Sequence, residues 1–335
     1  MKEKAVGIVA NPASGKDIRR IVTYSTPYGN QEKVNIIRRV LMALHATGIR
    51  KVYYMPEYYN IVPQAANGIY DEHKNIISDM VFEPLDFMVL EKESDTIKAG
   101  QMMQALDVDC VITLGGDGTN RAFAKYAGTV PIVPVSTGTN NAFPTMVEGT
   151  LAGLAAGVVA MGQCENHPEV LRRMKKIDLY LDGEYADMAL VDLVVLDPGI
   201  VGAKAMWQTE GMNEIFVSRC SPFNIGISAI PGQLDIIDDI EPRGLRVTVG
   251  REGSGVLAAI APGLIVPVHL QAAAEMKPGE KIPIASPSLI ALDGERNTLI
   301  KPGQEAYVAL NVEGPVVVDV DQALKAATEN GFFKL

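Results

Sequence analysis

Up to about residue 145 the chain alternates short apolar runs with amphipathic stretches, the signature of β-α units around a parallel sheet. Strands are expected at 6–10, 51–55, 87–90 and 110–114. Between the first two, residues 31–46 place Val34, Ile37, Leu41 and Leu44 at helical spacing, and Gly48 follows as a stop signal. Ser94 can cap a further helix that ends before Cys110, and residues 121–126 suggest another. Residues 130–135 also read as a strand; Pro131 and Pro134 cannot donate to a ladder, which predicts a short or edge strand.

An apolar segment at 149–162 follows, and beyond about residue 165 paired strands and turns take over. Asp182-Gly183 between the runs 177–181 and 186–196 is a strong hairpin signal. Strand-like segments punctuated by Gly or Pro recur at 245–249, 256–261, 264–270, 288–292 and 306–312. The 335 residues exceed the usual size of one hydrophobic core. The expected fold is an α/β N-terminal domain over 1–145, doubly wound on a mostly parallel sheet. A β-rich, sandwich-like C-terminal domain covers 146–335, its last segment packing back on the first.

Charge and cysteine usage narrow the partners. The formal charge of −10 gives no basic field for a nucleic-acid polymer or anionic lipid, yet a small nucleotide needs only local backbone N–H groups and one or two cations. Cys110, Cys164 and Cys220 are odd in number and far apart, so neither a disulfide framework nor a CxxC site is legible and a reducing compartment fits. Residues 5–10 are too few for a signal sequence, and the apolar stretches 151–161 and 256–270 fall short of the roughly 20 residues of a membrane helix. A soluble cytoplasmic protein without integral membrane association is expected. His45, His73, His167 and His269 show no metal-binding spacing, Met102-Met103 reads as core filler, and Trp207 as a buried or lining aromatic.

Two turns follow expected parallel strands, where open α/β sheets bind ligands. In Gly115-Gly116-Asp117-Gly118-Thr119, three glycines permit close approach to a phosphate and positive φ. Asp117 supplies a carboxylate able to orient Mg²⁺ or to take a proton from an attacking hydroxyl. An Asp beside Gly also closes turns by a local hydrogen bond, but the strand, the glycines and Thr119 together favour chemistry. The second turn is Ser136-Thr137-Gly138-Thr139-Asn140-Asn141. Residues 11–17 are no Walker A loop, because Ala10 and Asp17 stand where it requires Gly and Ser or Thr.

The Gly-Gly-Asp-Gly-Thr turn resembles the signature shared by NAD kinases and by diacylglycerol and sphingosine kinases. Residues 11–15 resemble the N-terminal nucleotide-site turn of the lipid kinases, and 130–144 the second glycine turn of both groups. The stretch 115–162 most resembles the NAD kinase-like acetoin catabolism protein X branch. The resemblance implies a NAD kinase/diacylglycerol kinase-like fold and an ATP-dependent kinase, with ATP between the domains and Mg²⁺ on its phosphates. Asn11, Ser14, Gly15, Lys16, Gly115, Gly116 and Gly118 would then cradle phosphates. Asp117 matches the family's essential aspartate, Thr119 its phosphate-contacting hydroxyl, and Thr137, Gly138, Thr139, Asn140 and Asn141 its second turn. A homo-oligomer is implied by family analogy.

On the acceptor side the sequence departs from the resemblance. NAD kinases carry Ala-Leu-Asn-Glu before a Val-rich strand, where the Asn-Glu pair contacts dinucleotide; this chain reads Ala189-Leu190-Val191-Asp192, which leaves Asp192 as the substrate-binding candidate. Residues 221–226 replace their Gly-Ser-Thr-Ala-Tyr turn. The expected acceptor is a hydroxyl of NAD or a related small metabolite. The alternatives are a lipid kinase and a catalytically inactive nucleotide or NAD sensor associated with acetoin catabolism. Of two Asp-Gly-Glu triplets, only the second stands where the lipid kinases place one. Asp293 and Glu295 are therefore expected to face the phosphates as catalytic residues, and Asp182 and Glu184 to face solvent.

Overall fold

The computed structural model describes residues 2–16, 19–25, 28–72, 76–138, 141–199, 205–206 and 208–334; His73, Thr139, Asn140 and Trp207 lie outside them. The first unit runs β1 (Ala5–Ala10), α1 (Arg19–Val22), α2 (Asn30–Ala46), β2 (Lys51–Tyr54), α3 (Ile61–Glu72), β3 (Val81–Pro84), α4 (Glu93–Ala105), β4 (Cys110–Gly115), α5 (Asp117–Ala124), β5 (Ile132–Ser136) and α6 (Gly149–Ala160). Its five strands lie in the order β3-β2-β1-β4-β5, all parallel. Both faces are covered, so β1 and β4 are buried at every position. On one face Val6, Ile8 and Ile112 meet Ile37, Leu41 and Leu44 of α2. On the other, Val9 and Val111 meet Met103 of α4 and Phe123 of α5. Each fully buried aliphatic side chain contributes about 1.5–3 kcal/mol.

Three expectations need correction. The third strand is Val81–Pro84 rather than 87–90; as an edge strand it is mostly exposed, so it lacks an apolar run, while the apolar 85–90 segment leaves the sheet as a loop. The cap of α4 is not Ser94: the Asp95 carboxylate accepts the N–H groups of Leu90 (2.8 Å) and Lys92 (3.4 Å), and the helix starts at Glu93. Strand β5 lies inside the sheet despite its proline. Thr137 N–H donates to Gly115 of β4, whereas Ser136 N–H donates the other way, to Thr145. By alternation the missing donor of Pro134 falls on the outer side, where β5 is paired at Ile132 with Val317 and at Val135 with Thr145, so no bond of the β4 ladder is lost.

Helix α6 crosses α2 through a stripe of glycines. A Cβ at Gly149 would meet the Ile36 carbonyl at 2.8 Å, and one at Gly153 the Val40 carbonyl at 2.7 Å. In an exposed helix, Gly→Ala gains about 1 kcal/mol. Gly153→Ala is instead expected to cost about 1–3 kcal/mol through overpacking, read as a lower urea midpoint; an unchanged or higher midpoint would show that the helices separate freely.

The second unit runs β6 (Leu171–Arg173), β7 (Lys176–Leu181), β8 (Glu184–Ala189), β9 (Asp192–Leu196), β10 (Met212–Val217), β11 (Gly244–Gly250), β12 (Ser254–Ala261), β13 (Leu264–Met276), β14 (Lys281–Pro283), β15 (Ser288–Leu292), β16 (Glu295–Ile300) and β17 (Ala306–Asn311). All but β6 form two antiparallel sheets, β12-β13-β11-β10-β9-β15-β16 and β14-β17-β7-β8. Leu193 and Val195 of β9 pack against Leu179 and Val308 of the smaller sheet, and Val194 and Leu196 pack on the opposite face. The chain then returns: β18 (Val316–Val318) joins the first sheet between β5 and β6, and α7 (Val320–Glu329) packs near α6. Among the described residues no helix is long and apolar enough to cross a membrane.

Candidate active site

The order β3-β2-β1-β4-β5 reverses direction between β1 and β4, and the crevice beyond such a reversal is where open α/β sheets bind ligands. Three turns meet there. Residues 11–15 follow β1, Gly115 to Thr119 join β4 directly to α5, and Thr137, Gly138 and residues 141–143 follow β5. Asn11 Nδ2 donates to Thr119 Oγ1 at 2.8 Å, and Thr137 Oγ1 donates to Ser14 Oγ at 2.9 Å. The Asp117 carboxylate accepts the N–H groups of Ala142 (3.1 Å to each oxygen) and Phe143 (2.8 Å). Each turn thus holds another in place.

The Gly-Gly-Asp-Gly-Thr segment is not the positive-φ loop expected of it. Gly115, Gly116 and Gly118 all lie outside that region; Gly116 caps α5 with extended backbone, and Asp117 is the first helical residue. Closeness selects glycine instead. A Cβ at Gly115 would lie 2.5 Å from Thr119 Oγ1 and one at Gly116 2.8 Å from Asn141 Oδ1, whereas at Gly118 it would make only an ordinary contact, 3.4 Å from a Glu295 carboxylate oxygen. Gly15 does have positive φ, 74°, packed against Thr137 and Tyr28. The first turn of α5 therefore faces the crevice with its N–H groups and the positive end of its dipole.

Asn11, Ser14, Gly15, Gly116, Asp117, Gly118, Thr119, Thr137, Asn141, Asp293 and Glu295 line one cleft. Gly115 and Gly138 lie behind this lining, and Lys16 is exposed, standing 4.9 Å over the Tyr59 ring. The facing wall, absent from the sequence reading, comprises Met55, Pro56, Glu57, residues 91–93, Asp95 and Thr96. Its acids are engaged within the protein: Glu57 accepts N–H groups at the start of α3, Glu91 accepts Tyr58 N–H, and Glu93 pairs with Arg121. A smaller cavity behind Asp117 is lined by Asp192, Met206, residues 225–228 and Asp293. Asp192 is buried and accepts the Gly294 N–H at 3.2 Å.

The two Asp-Gly-Glu triplets form matching turns, with φ of 51° and 85° at Asp182-Gly183 and 50° and 74° at Asp293-Gly294. Asp182 and Glu184 are exposed, and Glu295 is half-buried beside Gly118. Asp293 borders both the cleft and the cavity behind it. Its side chain is completely buried and accepts three backbone N–H groups, from Leu190 (3.0 Å), Val191 (2.8 Å) and Asp192 (3.3 Å). Burial pushes its carboxyl pKa up, with Arg121 and these amides pulling the other way. Arg121, 1 % exposed, reaches Glu93 at 2.9 Å and Asp293 at 3.7 Å. Burial opposes its charge, but Asp293, Glu93, Asp187 and Glu295 together keep the guanidinium charged. Local sequence marks it only as an arginine within a short helix.

Comparison with known proteins follows the same division. Residues 6–163 match the ATP-NAD kinase N-terminal domain, and residues 175–313 the acetoin catabolism protein X C-terminal domain. With a parallel α/β first unit and an antiparallel second, the fold is NAD kinase-like. A yeast NADH kinase complexed with NADH aligns over 99 % of this chain and 88 % of its own, at 13 % identity and a TM-score of 0.48. The acetoin catabolism protein X of Cupriavidus necator is 34 % identical over 330 residues, which span 96 % of this chain and 92 % of the relative. Identity at that level along nearly the whole of both chains places this protein in the acetoin catabolism protein X family.

Proposed function

We propose that the protein is an ATP-dependent phosphotransferase acting on a hydroxyl of NAD or a related small metabolite. One observation carries this reading: Asp117 lines both the main cleft and the cavity of about 20 Å³ behind it, so a donor in the cleft and an acceptor hydroxyl pointing into that cavity would meet at its carboxylate. The first turn of α5 and the hydroxyls of Thr119 and Ser14 receive the phosphates, with Asn11 and Thr137 setting those hydroxyls. Asp117 orients the acceptor hydroxyl and takes its proton as the new O–P bond forms and the bond to the leaving diphosphate breaks. Asp192 and Ser228 meet the acceptor. Asp293 acts at one remove, holding Arg121 and the 190–192 turn. Among the described residues no three His, Cys, Asp or Glu are grouped to hold a metal. Mg²⁺ needs only one or two carboxylates beside phosphate oxygens, and Asp117 and Glu295 at the turn suit it; it would supply neutralisation of phosphate charge.

The amide bonds to Asp117 favour a second reading, in which that residue is structural and the protein a nucleotide sensor. A labelled-ATP turnover assay with NAD separates the two: transfer of label establishes the enzyme, and binding without transfer favours the sensor. The lipid-kinase alternative gains nothing from a C-terminal half of the acetoin catabolism protein X kind. Because Val191 replaces the Asn expected of a dinucleotide site, Mg-ATP should raise the melting temperature more than NAD at equal concentration. A larger shift with NAD would reverse that ordering of affinities.

A further inference from the structure

Lys33 stands where a lysine is costly. It lies at the start of α2, where the helix dipole opposes a cation, and it is completely buried. Its Nζ donates to the carbonyls of Asn11 (2.8 Å), Ser14 (2.8 Å) and Pro12 (3.1 Å), with the Asn30 side-chain oxygen at 3.4 Å. Three carbonyls of one short turn converge on this point, and their dipoles repel unless a cation sits among them. An ammonium has three protons to offer; the neutral amine has two. The same turn aims Asn11 at Thr119 and Ser14 at Thr137, so its shape sets contacts on both glycine turns.

We propose that Lys33 is a positioning residue that couples nucleotide binding to proton uptake: its ammonium fixes the 11–14 turn, and a polyphosphate seated on that turn draws a proton from solvent onto Nζ. This coupling presupposes that the cleft holds a phosphoryl donor. Burial pushes the Lys33 pKa down to about 7; Lys16, from the end of the turn, adds to the fall, and Glu57, from the loop before α3, opposes it. Negative charge placed on the turn favours the ammonium, so the pKa in the complex stands higher. Binding therefore takes up a proton between the two values, and affinity falls as pH rises through them.

Calorimetric titration of Mg-ATP into the full chain at pH 8, in HEPES and in Tris, reads the protons exchanged, because the two buffers differ in ionisation heat. A group with a pKa near 7 is roughly one-tenth protonated at pH 8, so a rise on binding is read as net uptake of up to about nine-tenths of a proton per site. Lys33→Arg carries its charge at every pH and keeps its donors, so it should bind with no buffer-dependent heat. Lys33→Met should loosen the turn and weaken Mg-ATP binding at every pH. Buffer-independent heats in the wild-type protein, or undiminished uptake in either folded variant, overturn the coupling and leave the donor site standing. Failure of the wild-type protein to bind Mg-ATP overturns both.

Discussion

Arg121→Ala is expected to lower folding stability by about 3–5 kcal/mol at pH 8, the typical result of removing one partner from a buried ion pair. Asp293 is completely buried, and Arg121 is the cation beside it. Without the guanidinium, three amides alone must compensate its charge. The pH dependence identifies the cause. The Asp293 pKa is raised in the folded protein, so its favourable contribution is complete at low pH and is lost as pH rises through the folded value. Removing Arg121 raises that value further, so the defect should shrink when denaturation is repeated at pH 5. A loss below about 1 kcal/mol would mean that the partly exposed Glu93 and not Asp293 is the partner that matters, and a loss that grows on acidification would rule out the buried Asp293 charge as the cause.

Asp117→Asn is expected to reduce turnover by about 10²- to 10⁴-fold, the range for loss of a general base. An asparagine keeps the size of the side chain and one acceptor oxygen, so it can still receive the Phe143 N–H. It cannot serve Ala142 as the carboxylate does, which should cost about 1–3 kcal/mol of stability. The protein should therefore melt lower but cooperatively and still bind Mg-ATP, with the loss in kcat and not in KM. Undiminished turnover in the folded variant would remove Asp117 from the chemistry and leave it as a clasp between two turns.

Much of this arrangement is written in local sequence. The first strand, the periodicity of α2 and the glycine turns each carry their own signal, because strand burial, helical spacing and backbone approach constrain residue type directly. What local sequence does not carry is the tertiary context of a repeated pattern. Asp182 and Asp293 sit in the same turn chemistry, yet one is exposed and the other is enclosed by the chain at 190–192 and by Arg121. Pro134 reads as an edge signal because the side of the strand that its missing donor faces is fixed only by the neighbours. Lys33 is invisible for a related reason: a lysine at the start of an amphipathic helix looks solvated until the turn closes over it.

The return of β18 and α7 to the first sheet sets an order of events during synthesis. Strand β5 ends at Ser136, but its neighbour on the outer side begins at Val316, about 180 residues later. At about 5–20 residues per second the ribosome needs roughly 10–40 s to supply it. During that interval the apolar flank of β5 and the side of α6 that α7 will cover are open to other chains. The nascent first unit is therefore expected to need shielding by chaperones, and a chain stalled before residue 316 to aggregate even though every residue of the glycine turns has already been made.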